Sequence, residues 1–456
     1  MGSAALGRID AGGRWISWAF SLVFALLYSA FSLVRYNRFL SWSWDLSIFT
    51  QAVSGYAHLA APISTVKGPG FNVLGDHFSP IIALLAPAYR LVPDPRTLLV
   101  AQALLFAASV WPITRLGVER LGRVRGSLIG AAYGLSWGLQ SALVVDFHEI
   151  AFAVPLLAFA LTSLVRRRWW ATVAWSVPLV FTKEDLGLTV AAIGLVMAWR
   201  GARGIGLGLA TFGVLSTALE MFVLIPWVGG TYAYADRLDA NLSPNALVTV
   251  DKVTTLLLVF GVTALLALRS PLTFIALPTL GWRFLADKAA YWGEGWHYNA
   301  VLMPIVFVAL LDALFQAEET QRTWVRRWSA AASGAVAAVA LLLLPLMGLW
   351  SLTNPDRWQS DVDVAAAEQA VSIVPEGAVV ASNIGLMAHL VPGRTVYWLD
   401  GESIPTPDYV AIDTREGWPS QIAEDKALQF ANERYQPATY RIIFQGVNYL
   451  VLQKND

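Results

Sequence analysis

Apolar runs closed by charged breaks recur along the first three quarters of this chain, and no other feature constrains its fold as much. A helix needs roughly 20 apolar residues to cross the hydrocarbon core of a bilayer. Inside lipid, every backbone polar group must find its partner within the protein. Residues 15–34, 97–116, 127–145, 147–165, 169–182, 186–199, 205–227, 250–268, 272–285, 301–314 and 330–350 meet or approach the length requirement, which predicts about 11 transmembrane helices. Residues 78–92 are too short and contain Pro80 and Pro87, so they are expected to form a juxtamembrane or re-entrant helix. The first run lacks a cleavage site and is read as a retained anchor.

The arginines give the orientation. Arg8 and Arg14, Arg115 to Arg125, Arg166-Arg167-Arg168, Arg200 and Arg203, Arg269, and Arg322 to Arg327 fall at alternate ends of the spans. The positive-inside rule then places the amino terminus in the cytoplasm and everything after residue 351 outside. Tryptophan pairs such as Trp42/Trp44, Trp169/Trp170 and Trp292/Trp296 lie at span ends, as interfacial indoles do.

Composition removes several functions. Hydrophobic residues make up 56% of the chain and charged ones 14%, and the net charge is zero, so no basic field exists to hold nucleic acid. There is no cysteine, which excludes disulfides, thiolate metal sites and thiol nucleophiles. Chemistry must come from carboxylates, five histidines, Lys, Arg, Tyr and Trp.

The expected domains are a membrane domain over 1–351, with a large first outer loop at 35–79, and a soluble extracytoplasmic α/β domain over 352–456. Amphipathic helical patterns at 361–373, 384–390 and 425–435 alternate in the latter with β-rich runs at 378–381, 395–399, 409–413, 440–444 and 449–452.

All five histidines, His58, His77, His148, His297 and His389, fall in or beside the outer segments. Asp45 opens a helical pattern running to Leu59 whose apolar face, Leu46, Phe49, Val53 and Tyr56, would lie on the membrane. It is either an N-cap or a functional acid. Asp76-His77 precedes residues 78–92 and would accept a proton or hold a metal. Asp146-Phe147-His148-Glu149 and Lys183-Glu184-Asp185 sit at span boundaries, as solvated helix ends or as parts of one converging site. A divalent cation held by Asp76, His148, Glu149 or Asp185 fits the same groups. Arg283, Asp287, Lys288, His297, Tyr298 and the nearby Trp residues combine cations with aromatic faces, which suits a phosphate joined to a sugar ring; belt anchoring is the competing explanation. Glu220 lies inside a span, where a carboxyl is costly. Gly204-x-Gly206-x-Gly208 reads as helix packing. The sequon Asn241-Leu242-Ser243 is set aside.

Trp44-Asp45-Leu46-x-Ile48-Phe49-x-Gln51, Gly75-Asp76-His77-Phe78-Ser79-Pro80, Asp146-Phe147-His148, Lys183-Glu184-Asp185 and His297-Tyr298 together resemble a bacterial membrane-protein family catalogued as domain of unknown function 2079. That family looks like a distant relative of the GT-C glycosyltransferases. The resemblance implies a GT-C-like fold and a polyprenyl-phosphate sugar donor used on the outer face, with a glycan, lipid or protein as acceptor. It also implies an acidic first-loop residue as base or metal ligand. Asp45 matches that position and Asp76, with His77, is the alternative. His148, Glu149, Lys183, Glu184, Asp185, Arg283, Lys288, His297 and Tyr298 are then the expected substrate-binding residues. Two rival functions remain: a flippase or transporter of a lipid-linked substrate, and a non-catalytic envelope assembly or sensing protein.

Overall fold

The computed structural model describes residues 11–41, 44–230, 248–286, 288–354, 363–415 and 421–456. Trp42, Asp287, the Asn241–Ser243 sequon and the start of the helix expected at 361–373 lie outside them.

Among the described residues, four helices are long and apolar enough to cross a membrane: Trp15–Asn37, Arg96–Leu121, Arg203–Trp227 and Thr323–Leu346. A fifth candidate is the pair Ala289–Asn299 and Leu302–Glu319, bent by 68°. The other expected spans are shorter or broken. Residues 127–145 divide into helices Arg123–Gly134 and Trp137–Val144. Residues 169–182 turn from α-helix to 3-10 geometry at Val177–Phe181, which contains Pro178. Residues 250–268 break after Gly261, where Ala264 and Leu265 take positive φ, and residues 272–285 begin as a 3-10 segment headed by Pro271. A proline lacks an amide donor and crowds the preceding turn, and broken backbone is tolerated at membrane depth only where protein surrounds it. Helix Leu302–Glu319 supplies that surround, since residues on every face of it are buried. Residues 80–91 form a short apolar helix, as expected.

Close glycine contacts seal one helix pair. Gly206 and Gly213 of Arg203–Leu219 pack onto Gly194 and Gly187 of Leu186–Trp199, while Gly204 and Gly208 face open space. The packing stripe thus shares only its middle glycine with the Gly-x-Gly-x-Gly run.

The helices also sort the charges. Ala153–Val165 starts beside His148 and ends at Arg166; Leu186–Trp199 starts at Asp185 and ends at Arg200. Leu302–Glu319 starts after His297 and ends in acids that pair with Arg120 and Arg125. Arg200 meets Asp312 at 2.6 Å. The imidazoles, with Glu149 and Asp185, therefore stand at one end of these helices and arginine–carboxylate pairs at the other.

The C-terminal region carries a five-stranded sheet of order β2-β1-β3-β5-β4, formed by Val379–Ser382 (β1), Thr395–Trp398 (β2), Tyr409–Asp413 (β3), Tyr440–Gly446 (β4) and Tyr449–Lys454 (β5). Strands β1, β2 and β3 are parallel; β5 runs antiparallel to β3 and β4. Helix Ile384–Leu390 takes the crossover from β1 to β2, and Asp363 caps Val364–Ser372 by accepting from the Ala366 amide. All five strands lie within a few residues of the β-rich runs.

Candidate functional site

The geometry begins with the turn Asp146-Phe147-His148-Glu149. Asp146 takes a left-handed φ of 64°, a conformation Asp accepts more readily than most residues. Gln102, from the helix Arg96–Leu121, holds the turn with one amide group. Its Nε2 donates to the carbonyls of Ala142 (3.2 Å) and Asp146 (2.8 Å), and its Oε1 accepts from the His148 amide (3.1 Å). Ser41 donates to Asp146 Oδ1 at 3.2 Å, and Arg35 donates to the carbonyls of Leu40 (2.6 Å) and Val144 (3.0 Å). These bonds hold the Asp146 carbonyl and the His148 amide in place.

The His148 ring so placed has Nε2 3.3 Å from Asp45 Oδ2. Asp45 lies in the first turn of helix Trp44–Ala57, which ends two residues short of Leu59. Leu46, Phe49 and Val53 are buried in protein, with Phe49 edge-on to Phe147 at 5.5 Å. The apolar face expected on the membrane thus packs into the core, against residues 80–91 and helix Ile384–Leu390. Burial alone would lower the His148 imidazole; the Asp45 carboxylate, with Glu149, raises it above its ordinary value. His297 stacks on His148 at 3.6 Å, and burial, reinforced by the His148 and Lys183 charges, pushes it well below its ordinary value.

A second arm runs from Lys183-Glu184-Asp185. Lys183 Nζ lies 3.2 Å from Glu149 Oε1 and 5.7 Å from the Tyr298 ring centroid. Glu184 accepts from the Phe78 amide (3.2 Å) and pairs with His77 Nδ1 (2.8 Å). Asp76 pairs with Lys67 at 3.0 Å, which, together with His77, keeps it below the usual carboxylate range against its own burial. Asp185 Oδ2 accepts from Trp282 Nε1 at 2.8 Å, while its Oδ1 is buried without a partner; burial and Glu184 push this carboxyl up to about 6, against Lys183.

Arg283 closes the far side. It is fully buried, donating through Nε to the Tyr291 carbonyl (2.5 Å) and through Nη1 to the Tyr298 carbonyl (3.4 Å). Its Nη2 is buried with no hydrogen-bond partner, and among the described residues no carboxylate forms an ion pair with it. Trp282, Tyr291 and Tyr298 pack edge to face on one another, and the guanidinium lies 5.6 Å over the Tyr298 ring. A void of about 10 Å³, room for no more than one water molecule, lies among Lys183, Asp185, Thr279, Trp282, Tyr298 and Val301. A guanidinium with an unpartnered donor, an ammonium and aromatic faces are the kinds of group that suit an anion joined to a ring.

Asp45, Asp76, His77, His148, Glu149, Lys183, Glu184, Asp185, Arg283, His297 and Tyr298 are thus linked contact by contact. Lys288 stands off, exposed and 5.5 Å over the outer ring of Tyr291. Glu220 is buried at a π-helical turn, with Oε2 unpartnered. His58 and His389 lie elsewhere, His58 exposed with Nδ1 beside the Ser54 carbonyl. Asp76, His148, Glu149 and Asp185 each meet a different partner, and among the described residues no three His, Asp or Glu side chains gather to hold a metal ion. Sequence reasoning missed Gln102, Trp282 and Lys67. An uncompensated Gln in an apolar span was the available signal for the first.

The fold and this site define a polytopic membrane protein whose helices present one polar cluster at one end. Two solved structures share the fold. ArnT from Cupriavidus metallidurans bound to undecaprenyl phosphate aligns over 94% of this chain and 97% of its own, with TM-score 0.52 and 13% identity. The apo state of that protein aligns over 95% and 98%, with the same score and identity. At such identity the likeness is one of fold alone. No curated protein matches the sequence. The chain belongs to the family described as predicted membrane protein (DUF2079), which matches residues 35–450.

Proposed function

We propose that this protein is a GT-C-type glycosyltransferase that moves a sugar from a polyprenyl-phosphate donor to an acceptor hydroxyl at the outer face of the bacterial inner membrane. In this reading residues 1–351 form the membrane domain, the amino terminus is cytoplasmic, and residues 352–456 lie outside. One observation carries the proposal: the Asp45–His148 pair and the buried Arg283, with its unused Nη2, belong to one contiguous cluster. A carboxylate that can take a proton and a cation that can hold a phosphate are the two requirements of the transfer. The ArnT structure with undecaprenyl phosphate supports the donor class.

In the reaction, Asp45 accepts the proton of the acceptor hydroxyl as its oxygen bonds to the anomeric carbon. The bond from that carbon to the phosphate oxygen breaks with its electron pair, and Arg283 and Lys183 stabilise the departing polyprenyl phosphate. Attack opposite the leaving group inverts the configuration. Asp76 and His77 are the alternative base. The site's ionisable groups gather at one helix end instead of lining a path across, which favours transfer over transport.

The test is transfer from labelled polyprenyl-phosphate sugars by purified full-length protein, with and without a chelator, since a divalent cation at Asp76, His148, Glu149 or Asp185 remains part of the proposal. Asp45→Asn should slow transfer by about 100-fold or more. Wild-type rates in Asp45→Asn would move the base to Asp76 and His77, and no transfer from any donor would refute the reading.

A further inference from the structure

Asp45 does not sit on a helix that rises from the membrane. The first helix ends at Asn37 and the next begins at Trp44, so rigidity at this position must come from its neighbours. His148 is a weak tether by itself, because the Asp45 side chain is 29% exposed and ion pairs at that exposure hold little.

The C-terminal region grips the chain on both sides of Asp45. Before it, the ring of His389 slots between Tyr36 and Phe39, with centroids 4.1 Å and 3.8 Å away and planes tilted by only 20° and 19°. After it, Trp398 at the end of β2 meets Trp44 edge-on at 5.0 Å. The Val396 carbonyl accepts from Thr65 Oγ1 at 2.6 Å and from Gln51 Nε2 at 3.2 Å. Gln51 extends the grip, since its Oε1 accepts from Ser64 Oγ at 2.8 Å and the Val66 amide at 3.1 Å. Leu386, Met387 and Val396 share one apolar core with Leu46 and Phe49, so the two parts close over common buried surface.

We propose that the C-terminal α/β region is a clamp that positions the Asp45 carboxylate against His148, with His389 and Trp398 as its positioning residues. The positioning role rests on Asp45 being the base of the transfer; the clamp itself does not. Sequence separation is what makes the arrangement informative: residues 36–39 and 44–65 are gripped from positions more than 300 residues later, on either side of the acid. Loss of either contact frees one side of the segment while the membrane helices keep their own packing.

The chain contains no cysteine, so Asp45→Cys in the full-length protein creates a single reporter. Its reaction with a membrane-impermeant maleimide should quicken about fivefold or more on adding His389→Ala or Trp398→Ala, because local opening exposes it. His389→Phe should keep the slow rate, since a phenyl ring fills the same slot. Leu59→Cys, already 91% exposed, should label at one rate in all backgrounds. In chains that keep Asp45, His389→Ala and Trp398→Ala should lower kcat about tenfold while the KM for the polyprenyl-phosphate donor moves less than about twofold. An unchanged rate at position 45 overturns the clamp, as does equal acceleration at 45 and 59, which reports general loosening. If the unsubstituted chain transfers no sugar from any donor, the proposed function fails and the labelling rates still decide the clamp.

Discussion

His148 and His297 lie ring on ring at 3.6 Å, and their surroundings push them in opposite directions: Asp45 favours a proton on His148, while burial and that neighbouring charge deny one to His297. Two titratable groups driven apart in this way take separate roles, one charged and one neutral, as acid–base sites require.

The Asp45–His148 contact should appear in the pH dependence of stability. A histidine raised in the folded state stabilises fully below its unfolded value of about 6.5, and that contribution fades as pH rises through the folded value. Asp45→Asn should therefore lower Tm more at about pH 5.5 than at about pH 9, by the equivalent of about 1 kcal/mol given the acid's partial exposure. Thermal unfolding in detergent checks it; equal losses at both pH values would contradict the pair.

His297 carries the opposite sign. Its folded value lies below the unfolded one, so folding opposes its protonation and stability falls as pH drops below about 6.5. His297→Gln should flatten the acid side of the Tm profile. A steeper acid side in the variant would show that His297 is charged in the folded protein.

Arg283 should dominate recognition of the donor phosphate. Removing a charge-assisted donor costs about 1.5–3 kcal/mol, so Arg283→Gln should weaken polyprenyl-phosphate binding by roughly 10- to 100-fold. Arg283→Lys should restore only part of it, because an ammonium cannot reproduce the fork that reaches the Tyr291 and Tyr298 carbonyls. Native mass spectrometry with the lipid phosphate measures both. Unchanged binding would move the phosphate elsewhere.

Gln102→Leu strips three hydrogen bonds from the Asp146–His148 turn and leaves two buried carbonyls and an amide without this partner. The expected loss is about 2–4 kcal/mol. Unfolding in detergent should show it as a lower midpoint, with Gln102→Glu retaining some stability through the His148 amide.

Helix packing separates two neighbouring glycines. A Cβ on Gly206 would stand 2.5 Å from the Gly194 carbonyl oxygen, whereas one on Gly208 meets nothing within 4 Å. Gly206→Ala should thus cost about 1–3 kcal/mol, while Gly208→Ala should be neutral or slightly stabilising. Paired thermal melts would expose a reversal.

Apolar run length and arginine spacing alone identified a membrane protein with imidazoles at one helix end and arginines at the other, because lipid punishes unpaired polar groups wherever they occur in the chain. Local alternation was enough to locate the strands, as with Tyr409–Asp413, whose bounds match. Periodicity was silent on the mid-span breaks after Gly261 and at Pro271, which depend on what surrounds the backbone in three dimensions.

Pairings across the chain belonged to the tertiary structure. Asp45 meets His148 and His77 meets Glu184 across gaps of a hundred residues or so, and nothing in either segment names its partner. Hydrophobic patterning acts over a few helical turns and sets which residues leave water; only the packed helices decide which of the excluded charges end within reach of each other.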